Sequence, residues 1–162
     1  MRQVFLILLT LGLFSCNQQT ANNKDLQNRI DSLEVKLANT YRPGFGDFMG
    51  TVQTHHAKLW FAGQHENWKL ADFEVHELME AIEAIEEYHP NRKETQLIGM
   101  IYPAIDSVDI AIDQKDLEKF KESYTNLTNT CNKCHHATEM EYVEMKIPNL
   151  SPYSNQNFDA AK

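Results

Sequence analysis

Strand signals are missing from this 162-residue chain: it has no alternating runs of Val, Ile and Thr and no Asn-Gly hairpin pair. That excludes a sheet-based fold. Positive charge is also short, with 15 Lys and Arg against 23 Asp and Glu for a net charge of −8. This balance argues against nucleic acid or an anionic membrane surface as partner and suits a basic protein partner. Cysteine is scarce at three residues, Cys16, Cys131 and Cys134. A disulfide between the last two would close a tiny loop and constrain little of the unfolded chain. No internal repeat is visible. The apolar run from Val4 to Phe14 is too short to stay in a bilayer as a spanning helix.

That run, preceded by Arg2, suits a signal peptide, and it ends in Leu13-Phe14-Ser15-Cys16, which resembles a bacterial lipobox. The expectation is a lipoprotein leader over 1–15 and a mature chain anchored to membrane through lipidated Cys16. Such a chain lives in the bacterial cell envelope and faces the periplasm. Its ~145 mature residues suffice for one compact domain. Residues 16–42 read as a tether followed by a short helix, with Leu26, Ile30, Leu33 and Leu37 in a brief heptad pattern. That helix is a spacer or a dimerising stalk, the second giving a homodimer. Arg42-Pro43-Gly44 marks the domain boundary.

Residues 43–146 carry four helical patterns. The first runs from Phe45 to about Ala62 on the stripe Phe45, Met49, Val52, His56 and Leu59, and Gly63-Gln64 reads as its stop. The second, from Asn67-Trp68 to about Tyr88, faces Ala71, Val75, Leu78, Ile82 and Ile85 inward. His89-Pro90 ends it, since proline disfavours helix in the residue before it. The third runs from about Glu94 to Ile112 on Leu97, Ile101, Ile105, Val108 and Ile112, with a kink or new turn at Pro103. The fourth starts near Asp116, with Asp113 and Asp116 as candidate caps, and carries Leu117, Phe120, Tyr124, Leu127 and Cys131 on one face. Short connections between such helices predict an all-α, antiparallel up-down-up-down four-helix bundle. Residues 147–162 are aperiodic and Pro-containing, and read as an extended tail lying across it.

The chemistry concentrates in Cys131-Asn132-Lys133-Cys134-His135-His136. Zinc wants four ligands, and no second cysteine pair exists. A thioredoxin-type dithiol opens a helix after a strand, whereas this pair sits late in a helical chain. C-x-x-C-H is the covalent attachment motif of haem c. Thiols at i and i+3 share a helix face and can reach two vinyl groups on one porphyrin edge, while a histidine at i+4 stands under the iron. Attachment also needs an exported compartment, which the leader independently implies. His136 is not needed by the motif.

The motif late on the last helix resembles the four-helix cytochrome c-prime class, and HHAKLWFAGQ, IYPAI, LTNTCNKCHHAT and SNQNF resemble segments of bacterial c-type cytochromes. The resemblance spans roughly residues 45–158. It implies one haem c per chain near one end of the bundle, Cys131 and Cys134 as thioether residues, and His135 as proximal iron ligand. The second axial position should come from the start of the first helix, where Met49 and His56 stand about 10 Å apart at ~1.5 Å rise per residue. His56 is the first candidate, because a ring buried on an apolar stripe needs a partner and iron would be one, and Met49 is the alternative. His55, His65 and His76 read as surface or packing residues, Trp60, Phe61 and Trp68 as packing, and Glu83-Ala-Ile-Glu-Glu as a solvated face. The expected function is single-electron transfer to a redox protein partner, without catalysis. The alternatives are a five-coordinate haem protein binding or sensing NO or CO and, further off, a peroxidase using His56 as an acid–base group.

Overall fold

The computed structural model describes residues 23–37, 40 and 43–160, so the expected leader and Cys16 lie outside the described residues. The chain divides into two units, Met1–Arg42 and Pro43–Lys162. In the first, residues 23–37 are helical, and Leu26, Ile30, Leu33 and Leu37 are all exposed. Among the described residues, no helix is long and apolar enough to cross a membrane.

The second unit contains α1 (Phe45–Gln64), α2 (Trp68–Tyr88), α3 (Lys93–Ile98), a 3₁₀ turn (Gly99–Ile101), α4 (Tyr102–Asp113) and α5 (Leu117–Ala137). No strand occurs among the described residues. The expected third helix is thus two helices with a tighter turn between them. Pro103 has no N–H to give the Gly99 carbonyl, so the α-helical ladder cannot pass that point. The chain takes 3₁₀ geometry and restarts with proline in the first turn of α4. The apolar stripe survives the break: Ile101, Ile105, Val108 and Ile112 are buried, and Leu97 alone of the expected set is exposed.

Helix α1 packs on α2, α4 on α5, and α2 and α5 each also meet a second helix, α4 and α1 respectively. Leu59, Val75, Leu78, Ile82, Ile85, Val108, Phe120, Tyr124 and Leu127 form the buried centre. Gly63 does not stop α1; it lies inside the helix, where a Cβ would come within 2.2 Å of the Phe120 ring. The glycine permits a close approach of α1 to α5. Of the two candidate caps, Asp116 caps α5, accepting from the Lys119 N–H at 3.0 Å. Asn67 caps α2.

Three helices end in the same way without glycine. After α1, α4 and α5 the backbone turns left-handed at Glu66, Lys115 and Glu139, with φ of 54°, 53° and 64°. At each, the next N–H bonds back five residues: Asn67 to Ala62, Asp116 to Ala111, Met140 to His135. These are Schellman closures, in which the turn satisfies carbonyls the helix leaves open. The last reverses the chain directly after the cysteine motif. Residues 143–160 then follow without helix, and Phe158 is buried against Phe61. Asn67 Nδ2 donates to the Asp159 carbonyl, which fastens the end of the tail.

Candidate functional site

Cys131, Cys134 and His135 occupy the last two turns of α5, at spacings that share one helical face. All three line a cavity of about 300 Å³. Its other walls come from α1 (Phe45, Met49, Val52, His56), from Ile82 of α2, from Ile98 of α3, and from Ile101 of the 3₁₀ turn. The segment after α5 closes one side with Thr138, Met140, Val143 and Met145. Gly46, Gly50 and Gln53 at its rim are exposed, so the cavity communicates with solvent beside α1. The lining is mainly apolar, with few polar groups, which is the character of a small-molecule or cofactor site.

His135 has a defined orientation. Its Nδ1 lies 2.5 Å from the Val143 carbonyl oxygen, which can only accept, so Nδ1 carries the proton. Nε2 is then the nitrogen with a free lone pair. This arrangement, one ring nitrogen donating to a backbone carbonyl and the other left for a metal, is the common orienting device of metal-ligating histidines.

Cys131 is buried and Cys134 half-buried, both as free thiols. Burial, with a smaller contribution from the neighbouring Cys134, pushes the Cys131 thiol up to about 12. Burial, then the Glu94 carboxylate, also raises Cys134. Redox-active dithiols depend on a depressed thiol pKa in an electropositive setting. This pair has the opposite environment. Nor do the two sulfurs and His135 converge on a single point: among the described residues, Asp72, His76 and Asp109 are the group whose ligand atoms come within 4.8 Å of one another, on an exposed face elsewhere.

The structure brings both candidate axial residues to the cavity. Met49 is half-buried there. His56 is 2% exposed, and both its ring nitrogens are engaged. Thr128 Oγ1 donates to the Tyr124 carbonyl at 3.0 Å and therefore accepts from His56 Nε2–H at 3.0 Å. Tyr124 O–H, 2.9 Å from Nδ1 and 2.8 Å from the His56 carbonyl, donates between those acceptors. Burial holds the imidazole neutral, with its pKa lowered to about 4. To ligate a metal, His56 would have to give up one of these bonds. Burial also pushes the Tyr124 hydroxyl well above the ordinary phenol range.

Several of the other histidines have partners elsewhere in the fold. His55 is not a surface residue: its Nδ1 meets the carboxylate of Glu74, itself 1% exposed, at 2.7 Å. Sequence reading missed Glu74, although its spacing from Ala71 and Leu78 places it on the inner stripe of α2. His65 pairs with Asp159 at 2.7 Å. His76 is exposed and its Nδ1 bonds the Asp72 carbonyl, which raises its pKa. His136 is exposed. Trp60 packs 4.8 Å from Tyr124 and 6.2 Å from Phe120, and Trp68 meets the same Phe120, so these aromatics belong to the core.

Comparison of the chain with protein-family models, curated proteins and solved structures returns no match.

Proposed function

We propose that the chain is an extracytoplasmic c-type cytochrome that carries single electrons through one covalently bound haem. The observation that carries this reading is the meeting of two unactivated thiols and a carbonyl-oriented histidine in one apolar cavity. The residues fit the group. Cys131 and Cys134, one turn apart on α5, would supply two thioether sulfurs, and His135 would supply Nε2 to the iron. Bound there, haem supplies reversible one-electron exchange between ferric and ferrous iron.

The chain's own residues then have separable tasks. The Val143 carbonyl holds the His135 ring by its Nδ1–H and raises the donor strength of Nε2. Val52, Ile82, Ile98 and Ile101 keep water from one wall and lower the local dielectric. Helix connections as short as 65–67, 89–92 and 114–116 support the up-down-up-down arrangement, with the cofactor at the end shared by the start of α1 and the end of α5. Export and a lipid anchor on Cys16, with a basic-surfaced redox protein as partner, complete the reading.

The sixth position divides two versions of this function. A Met49 thioether would close it and give an electron carrier. The engaged state of His56 favours a second version, in which His56 and Met49 would both leave the iron unligated and the bound haem would take up NO or CO. A peroxidase role would need His56 as a free base, and its nitrogens have other partners. The test is the absorption spectrum of the purified protein, reduced, with and without carbon monoxide. The electron carrier predicts a low-spin haem c spectrum indifferent to the gas, changed by Met49→Ala and not by His56→Ala. A high-spin spectrum that shifts with carbon monoxide would select gas binding.

A further inference from the structure

The orientation of His135 depends on a backbone carbonyl from an aperiodic stretch, which raises the question of what holds that stretch in place. Helix α5 ends at Ala137. The left-handed Glu139 and the bond from Met140 N–H to the His135 carbonyl, 2.8 Å, turn the chain back. Hydrogen bonds of the turn account for the chain only as far as Val143, whose N–H bonds the Met140 carbonyl at 2.9 Å. The next fixed point is Met145. Its N–H donates to Asn132 Oδ1 at 2.7 Å, and its carbonyl accepts from Asn132 Nδ2 at 2.9 Å. One side-chain amide therefore grips both backbone groups of one residue, as a neighbouring β-strand would. Asn132 lies one helical turn before His135, so the returning segment is held at both ends with Val143 between them. Asn132 is also the first spacer of the Cys-x-x-Cys motif, where the attachment chemistry demands no particular side chain.

We propose that Asn132 is a positioning residue: by clamping Met145 it sets the Val143 carbonyl on His135 Nδ1 and so fixes the ring orientation and donor strength of the histidine. The inference rests on the haem reading for its redox consequence, but the clamp itself is a property of the chain. Asparagine is the side chain this task needs, since it offers one donor and one acceptor in a plane. Aspartate keeps only the acceptor. Alanine keeps neither, yet it is the better helix former, so its effects do not come from fraying of α5.

The test uses the full-length protein as purified, wild type against Asn132→Ala and Asn132→Asp. Hydrogen exchange at the Met145 amide reads the clamp: Asn132→Ala should speed it by about tenfold or more, as expected for loss of a protecting bond, and Asn132→Asp by less. In haem-loaded protein the reduction potential reads the histidine. A weaker hold on Nδ1–H makes Nε2 a poorer donor to ferric iron, so the potential should rise in Asn132→Ala and rise less in Asn132→Asp. In any preparation without haem, ¹⁵N spectra read the same link, with His135 moving from the Nδ1–H tautomer toward Nε2–H while exposed His136 stays unchanged. Unchanged Met145 exchange in Asn132→Ala would overturn the clamp. Faster exchange with wild-type potential and tautomer would overturn its control of His135. Protein purified without covalent haem would overturn the proposed function, leaving the clamp to be judged by exchange and tautomer alone.

Discussion

Helices α1 and α5 are packed shut at one end of their contact and stand apart at the other. Around Gly63 the Phe120 ring, 0% exposed, takes the space a Cβ would need; Trp60 stacks on it, Trp68 meets it edge-on and Tyr124 packs beside it at a tilt. Around Met49 and Cys131 the same two helices border a cavity of about 300 Å³. Both regions are built from apolar stripes of the same period, and their difference lies in side-chain size. Aromatic rings interlock across one, whereas the other, although Phe45, His56 and His135 border it, is walled largely by Met49, Val52, Ile98, Ile101 and Cys131 and is left incompletely filled. Dense packing is the rule for protein interiors, so a gap of this size forgoes dispersion contacts that a closed core would have. Under the proposed function, a large apolar cofactor would complete the core here.

Substitutions at the two ends should therefore behave differently. Phe120→Ala removes the ring that four neighbours pack against, and should cost about 3–5 kcal/mol in denaturant unfolding. A loss under about 1 kcal/mol would mean the closed end is less tightly built than its geometry implies. His56 lies between the two ends, and its effect is read by pH. Its pKa is lowered from 6.5 to about 4 in the folded state, so the unfolded chain binds the proton more readily. Its contribution is full above pH 6.5 and is lost as pH falls toward 4, amounting to about 3 kcal/mol. Stability measured across pH 4–6.5 should show a shallower slope in His56→Gln than in wild type. Equal slopes would show that His56 takes up its proton as readily in the folded chain as in the unfolded one. Ile98→Ala, at the cavity wall, should cost about 2 kcal/mol without bound cofactor, the low end for such a truncation because one side already lacks neighbours.

The smallest effect sharpens the comparison at the mouth of the site. Glu139 holds the left-handed turn that reverses the chain over His135, a conformation that costs an L-residue about 1–2 kcal/mol. Glu139→Gly should raise stability by about 1 kcal/mol, seen as a higher denaturation midpoint at constant m-value. A decrease would mean that the exposed Lys93–Glu139 ion pair at 3.2 Å outweighs the turn.

Much of this architecture is legible in the sequence. The inner stripes of α1, α2, α4 and α5 follow helical spacing closely enough that the expected core residues are buried, except for the half-buried Phe45, Met49 and Leu117. The break at 99–103 was harder to see, because Leu97, Ile101 and Ile105 keep the helical period straight through it. The Schellman closures were invisible for a similar reason: glycine is their usual signal, and Glu66, Lys115 and Glu139 stand in its place. Cys131, Cys134 and His135 stand out in the sequence by local spacing alone, and the fold brings all three to one cavity. Their supports do not stand out. The Val143 carbonyl is a backbone atom in an aperiodic stretch, and Asn132 acquires its role only when Met145 returns to meet it. The partners of His56, 68 and 72 residues away in Tyr124 and Thr128, are equally beyond periodicity.

The most direct measurement is the intact mass of the full chain produced in a host competent for cytochrome c maturation, beside Cys131→Ser/Cys134→Ser. The account predicts one covalently added haem per wild-type chain and none on the double variant. A wild-type chain with the mass of bare polypeptide, processed or not at its leader, would contradict it.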